Sequence, residues 1–376
     1  MIRNKVLCFL VLILLISCKH EINFEKRIHV IMNLTDKYDD LWLFTLTNYL
    51  IGVDSNTAET KLCVELPVGI EAPVFVNNKF YVSETNVFGW KNRAGVIVLD
   101  SNLKFQKEIE AYPNIKKTSV YNDFLFCDCM SWDLNGNSGF SIIDLKSDTL
   151  VFKYNQLPDL IVNQNNACWG YNGKVYLGTE YETNLETPFS ITIVNTNPLE
   201  IIERTEMFSS DFPFGERTSV LVNKNQLWVC YRFKDYICVY DLDTNKKIAS
   251  IDLRNFIPET INEPFEQIWD SNGHTREWNN FNLLHQNVYD GVYYSVITNY
   301  GGTENGAPFL NAILGINTST FQLCFLTRFD EDLQNFDEYR FSANNKDIIF
   351  LRKFNHIYEY SISQEKLLNE LIVFEK

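Results

Sequence analysis

Three observations predict an all-β chain built as a ring of four-stranded antiparallel blades. Short apolar runs alternate with period two and are rich in β-branched and aromatic residues. Apolar residues rarely recur at 3.6-residue spacing over more than two turns, so no helix of useful length is expected. Two polar turn sequences also return in fixed order along the chain, at a period of about 40 to 55 residues except for one longer gap between blades five and six. Four short strands per unit at that period make a β-propeller. The count is seven blades, with six as the alternative. A pair of β-sandwiches is the competing all-β architecture, but sandwiches do not require two turn landmarks in fixed order in every unit.

The first unit is the least regular, with strands IHVIMNL, LWLFTL, YLIGVD and KLCVEL. From the second unit on, one landmark is a polar turn between apolar runs, at Asn77, Asn122, Asn172, Asn223, Asp290 and Asn344. The other closes a strand with a side chain able to bond its own backbone, at Asp54, Asp100, Asp144, Asn195, Asp241, Asn317 and Ser361. Within the fifth unit, LWVCYRF and YICVYDL form a hairpin around Phe233-Lys234-Asp235. A three-residue loop there sets Cys230 opposite Cys238, with Cβ atoms about 4.5 to 5.5 Å apart. A relaxed disulfide needs ~3.5 to 4.5 Å, so close approach of two thiols is expected and a bond only under strain.

In an up-and-down blade with strands A to D, the A–B and C–D turns emerge on one face, and the B–C loops and D–A crossovers on the other. The short polar landmarks occupy the first face. Long B–C loops at 86–95, 130–139, 180–188 and 299–308 belong to the second, as does one large D–A insertion at about 254–284 between blades five and six. Irregular loops on a rigid scaffold concentrate binding residues, and these carry Trp90, Arg93, Trp132, Tyr181, Trp278 and Tyr300. Such aromatics stack on sugar rings or anchor a protein partner.

The N-terminus MIRNKVLCFLVLILLISCKH has basic residues Arg3 and Lys5, an apolar run from Val6 to Ile16, then Ser17 and Cys18, the order of a secretory signal. The run is far shorter than the ~20 residues a membrane-spanning helix needs. Leu15-Ile16-Ser17-Cys18 resembles the lipobox of bacterial lipoproteins, which implies lipidation of Cys18. Residues 1–17 are then a signal peptide, 18–27 a short tether and 28–376 one propeller domain. Lys19 is not the aspartate that retains enterobacterial lipoproteins at the inner membrane, so the resemblance implies the outer membrane, on either its periplasmic or its surface side. The formal charge of −15 argues against nucleic acid, which demands clustered Lys and Arg. It equally disfavours electrostatic docking onto anionic lipid.

No catalytic signature is complete. Asp133, Asn135 and Asn137 resemble the start of a calcium loop whose last ligand would be Asp144. If Gly139 to Asp144 is a strand, however, it spans about 16 Å, against ligand distances of ~2.4 Å. Ser101 and Lys104 have a serine–lysine spacing but sit at an exposed turn, with no pocket to activate the lysine. Of five histidines, only His274, near Asp270 in the insertion, falls on the elaborated face and is a candidate acid or base. No cofactor is implied.

YNGKVYLGTE, YICVYDLDTNKKI and NVYDGVYYSVI, together with the lipobox and the short tether, resemble a domain-of-unknown-function family of β-propeller lipoproteins common in Bacteroidota. That resemblance implies six blades where the landmarks count seven, and it supplies no catalytic residues. The leading expectation is a monomeric, lipid-anchored, non-catalytic propeller that binds a protein or glycan through its long-loop face. The alternatives are a propeller hydrolase or lyase using that face and an envelope-assembly scaffold.

Overall fold

Apart from Asn344, which lies outside the described residues, and the fifth A–B and fourth C–D turns, the turn landmarks are where the backbone reverses in the structure, a computed structural model. It describes residues 40–46, 48–66, 70–84, 95–111, 115–129, 139–155, 169–177, 192–202, 218–231, 236–256, 265–268, 275–278, 281–299, 311–329, 336, 338–342, 345, 347–353 and 356–372. Seven antiparallel sheets follow one another as the blades of a β-propeller, so seven rather than six is the blade count. Blade one contributes β1 (Leu41–Leu46), β2 (Tyr49–Asp54) and β3 (Thr60–Glu65). Its expected first strand, IHVIMNL, lies outside the described residues. Blade two has β4 (Ile70–Val76), β5 (Lys79–Glu84), β6 (Gly95–Asp100) and β7 (Phe105–Glu110). Blade three has β8 (Ile115–Tyr121), β9 (Phe124–Cys129), β10 (Gly139–Asp144) and β11 (Thr149–Asn155).

Blade four is the shortest, with β12 (Trp169–Tyr171), β13 (Lys174–Leu177), β14 (Thr192–Thr196) and β15 (Leu199–Ile202). Blade five has β16 (Thr218–Asn223), β17 (Gln226–Tyr231), β18 (Tyr236–Asp241) and β19 (Lys246–Asp252). The crossover that follows contains a separate hairpin of β20 (Phe265–Ile268) and β21 (Thr275–Trp278). Blade six has β22 (Phe281–Tyr289), β23 (Val292–Asn299), β24 (Asn311–Asn317) and β25 (Leu323–Arg328). Blade seven has β26 (Glu338–Phe341), β27 (Ile348–Lys353), β28 (His356–Ser361) and β29 (Lys366–Ile372). Among the described residues no helix is long and apolar enough to cross a membrane.

The core is distributed over the seams between blades rather than gathered at one centre. Each seam holds one apolar cluster. Leu50, Leu62, Phe80 and Val82 join blades one and two, and Trp228, Cys230, Ile237, Tyr293 and Ile316 join five and six. The last seam closes the ring: Trp42, Ile51 and Cys63 of blade one pack on Ile348, Phe350 and Ile357 of blade seven, with the Trp42 and Phe350 rings stacked at 6.3 Å. Central strands are therefore buried on both faces, as β18 shows with Ile237, Cys238, Val239 and Tyr240 all inaccessible.

That double burial explains one correction. Cys230 stands opposite Ile237 and Cys238 opposite Val229, so the connection is the four residues 232–235 and not a three-residue loop. A register slip of one residue turns a side chain to the opposite face. The two cysteines consequently sit in different seams, and no disulfide joins them. Two turn landmarks also shift. The fifth A–B turn is Lys224–Asn225 rather than Asn223, and the fourth C–D turn is Asn197–Pro198, across a cis peptide, rather than a turn capped by Asn195.

In the other six C–D pairs a β-bulge on strand D follows the turn, leaving Lys61, Gln106, Val151, Ile248, Cys324 and Leu368 as the extra residues. A bulged residue leaves the ladder and bends the strand, which accounts for the exposure of Val151, Ile248 and Leu368. Charged residues on the outer strands, as in β7 and β19, blunt edge-to-edge pairing.

Candidate functional site

The two faces of the ring are built from different materials. On the tight-turn face, Asp54, Asp100, Asp144, Asp241 and Asn317 each accept two backbone amides from the turn that follows, at 2.7–3.1 Å. The residue after strand C then donates its amide to a carbonyl of the A–B turn in the same blade. Leu145 N bonds Asp123 O, Leu242 N bonds Asn225 O, Thr318 N bonds Gly291 O and Ile362 N bonds Asp347 O, all at 2.7–2.8 Å.

Polar contacts also cross the seams here. Asp148, in the blade-three turn, accepts Lys79 Nζ and Tyr81 OH of blade two, each at 2.5 Å, while Lys107 Nζ donates to the Asp148 carbonyl at 2.5 Å. Burial opposes the charge on Asp148, but the hydrogen bonds from Lys79 and Tyr81 and the pull of both lysines outweigh it, and the carboxyl titrates below its usual range. Farther round, Gly173 N donates to Tyr121 OH at 3.0 Å, Tyr171 OH to Asp243 at 2.8 Å and Gln226 Nε2 to Thr318 O at 3.2 Å. This face is occupied in holding the ring together.

The other face carries the long connections, and the strand pairings place their ends there without ambiguity. Segment 85–94, with Trp90 and Arg93, joins the end of β5 to the start of β6. Segment 130–138, with Trp132, Asp133, Asn135 and Asn137, joins β9 to β10, segment 178–191 with Tyr181 joins β13 to β14, and segment 300–310 with Tyr300 joins β23 to β24. Those eight residues lie outside the described residues, as do Cys18, Asp270 and His274. Trp278 closes β21 opposite Phe265. The insertion leaves β19 through a 3-10 turn, Leu253–Asn255, capped by the Asp252 carboxylate, which also pairs with Arg254 at 2.7 Å.

The full calcium loop is excluded by geometry. β10 separates Asp144 from segment 130–138 by its whole length, and Asp144 Oδ1 is engaged by the amides of Lys146 and Ser147. Among the described residues no group of three or more His, Cys, Asp or Glu side chains is placed to hold a metal ion. Burial pushes the Cys63 thiol up to about 11 and that of Cys230 to about 12, so neither is a nucleophile at neutral pH. His356 bonds Glu370 at 2.7 Å and stacks on Tyr358, a structural setting on the outer strands of blade seven. Sequence reading missed the Asp148 junction, whose members are far apart along the chain and follow no period.

A scan against protein-family models gives no match, and a search of the curated proteins gives none either. Solved structures do match. Kluyveromyces lactis Hsv2p aligns at TM-score 0.54 and 6% identity over 89% of this chain and 96% of its own, and a form of it with loop 6CD replaced by a Gly-Ser linker at 0.56 and 8%, over 89% and 95%. A europium-containing methanol dehydrogenase aligns at 0.50 and 11% over 88% and 76%. These likenesses concern the fold alone.

Proposed function

We propose that this chain is a lipid-anchored propeller that binds a protein or glycan at the outer membrane through its long-connection face and catalyses no reaction. The supporting observation is the division of labour between the faces. Turns on one face spend their polar groups on each other and on the next blade, while every long B–C connection opens on the other. Trp90, Arg93, Trp132, Tyr181 and Tyr300 belong to those connections, and Trp278 to the inserted hairpin. Aromatic and arginine side chains on a rigid frame are the usual anchors of an interface. Binding is tested by comparing Trp90→Ala and Trp132→Ala with Asn77→Ala and Asn172→Ala for envelope partners or glycans retained by the full chain. Loss confined to the first pair supports the reading, and equal loss from both pairs overturns it. Turnover of a substrate that His274→Ala abolishes without weakening binding would establish the enzymatic alternative instead.

A further inference from the structure

The outer edge of blade four lacks two protections that the other blades share. In every blade strand D ends the sheet among the described residues, and an end strand offers a row of unpaired N–H and C=O groups to any extended chain. Cationic side chains and β-bulges are the usual means of blunting such a row. The other six D strands have both. Each carries a lysine or arginine that is not buried, such as Lys61 in β3, Lys107 in β7 and Arg328 in β25. Each is also bulged. β15, of sequence LEII, has no cation, and its register against β14 runs from Thr196 opposite Leu199 to Ile193 opposite Ile202 without a break. Its side chains divide between the two sides of the sheet. Leu199 and Ile201, both half-buried, join Phe152 of β11 on the outer strands of the cluster between blades three and four. Glu200 is exposed on the other side, and among the described residues its one partner is Asn195 Nδ2, at 3.4 Å.

We propose that β15 is a strand-addition site, at which an extended cationic segment of a partner protein pairs as the fifth strand of blade four. The residue set opposite Glu200 is lysine or arginine, because opposite charges facing each other across a ladder attract and like charges repel. Its two neighbours stand opposite Leu199 and Ile201. They are apolar and β-branched, which suits a half-buried pleated surface and covers those side chains and Phe152. The segment therefore reads apolar, cationic, apolar in extended form. A second copy of this chain is a poorer occupant, since it brings another Glu200 and the same formal charge of −15. In this mode main-chain hydrogen bonds supply the affinity and alternate side chains the selectivity. With only four residues in β15, the contact is a transient one. The site lies on the outer rim of the ring and is independent of the long-connection face.

The test titrates the full chain into a fluorescein-labelled peptide, Ser-Thr-Val-Lys-Val-Thr-Ser, and reads fluorescence anisotropy. This peptide should bind, and the same peptide with glutamate in place of lysine should bind about fivefold more weakly or less. Equal binding of the two would overturn the charge recognition, and binding of neither would overturn the site. Glu200→Lys gives β15 the cation that the other edges carry and should invert the order of the two peptides; an unchanged order would place the peptide elsewhere. A further arm needs no change to the protein. An added strand uses only alternate amides, so N-methylation of the lysine amide in one peptide and of both valine amides in another should abolish binding in one case and spare it in the other. The same effect from both would overturn strand pairing. If the chain alone sediments as a dimer that the lysine peptide dissociates, the occupant is a second copy and the partner segment is overturned.

Discussion

Cys230 Sγ lies 3.1 Å from the Tyr293 hydroxyl across the seam between blades five and six, while Cys238 packs into the seam with blade four. The Tyr293 ring also stacks on Trp228, at 4.7 Å and 8°. Burial raises the Cys230 thiol to about 12 although the Tyr293 hydrogen bond lowers it. A maleimide at pH 8 should therefore label Cys324, the exposed bulge residue, and leave Cys63, Cys127, Cys230 and Cys238 untouched until the chain unfolds. Mass spectrometry of the denatured, unreduced protein should then find Cys230 and Cys238 both as thiols. A Cys230–Cys238 disulfide would contradict the register of β17 and β18.

Asp148 gives a pH-dependent prediction. Its folded-state pKa is depressed, so the unfolded chain binds more protons between the two values and stability rises with pH there. The advantage is complete above about 4, the unfolded value, and disappears as the pH falls through the folded value. Asp148→Asn should cost about 2 kcal/mol at pH 7, as expected for hydrogen bonds to a charged group. The gap from wild type in urea midpoint should close in strong acid; a gap independent of pH would mean the carboxylate is not the acting species.

Much of the ring was legible because its turns are written in local chemistry. Asp100 and Asn317 bond their own turns, and Asn172–Gly173 and Asp290–Gly291 hold the positive φ angles that reverse a hairpin in two residues. The register of β17 against β18 was not legible. Trp228 and Cys230 face one seam, Leu227 and Val229 the other, and all four are apolar, so alternation carries no sign of which way each points. The long connections lack such periodic constraints altogether. Their composition marked Trp90 and Trp132 as candidates, but chain order alone places no side chain in space.

Gly170 and Gly315 test the packing within and between blades. A Cβ at Gly170 would lie 2.1 Å from the Tyr121 ring of blade three, and one at Gly315 would lie 2.4 Å from the Phe325 ring on the neighbouring strand. Neither ring can withdraw cheaply, since Tyr121 OH receives the Gly173 amide and Phe325 sits among Tyr294 and Tyr360. Each Gly→Ala change should destabilise by about 1 to 3 kcal/mol, read as a lower urea midpoint. An unchanged midpoint would mean the rings are not held as described.

Alkaline pH should loosen the seams. Burial raises the phenols of Tyr176 and Tyr358 to about 12, and those of Tyr81, Tyr294 and Tyr360 further still. A raised folded-state value contributes stability that is complete below the unfolded value near 10 and is lost as the pH rises through the folded one. Thermal midpoints should thus fall steeply above pH 10, and tyrosinate absorbance should appear with unfolding rather than before it. Early ionisation in a still-folded chain would show that these hydroxyls reach solvent.

Two left-handed residues separate backbone strain from packing. Lys224 has φ 55° in an exposed turn, and Phe321 has φ 58° at the end of a C–D turn, where its ring packs 5.9 Å from Trp228. A non-glycine side chain in this region costs about 1 to 2 kcal/mol, less for asparagine. Lys224→Asn loses no packing and should stabilise by about 0.5 kcal/mol. Phe321→Asn relieves the same strain but removes an aromatic ring from the blade-five and blade-six cluster, and losing such a side chain from a core costs about 3 kcal/mol when fully buried. Phe321 is only half-buried, so the net should be a loss of about 1 kcal/mol. Opposite signs in the two urea midpoints are expected; stabilisation by both changes would mean that the Phe321 ring contributes little to the seam.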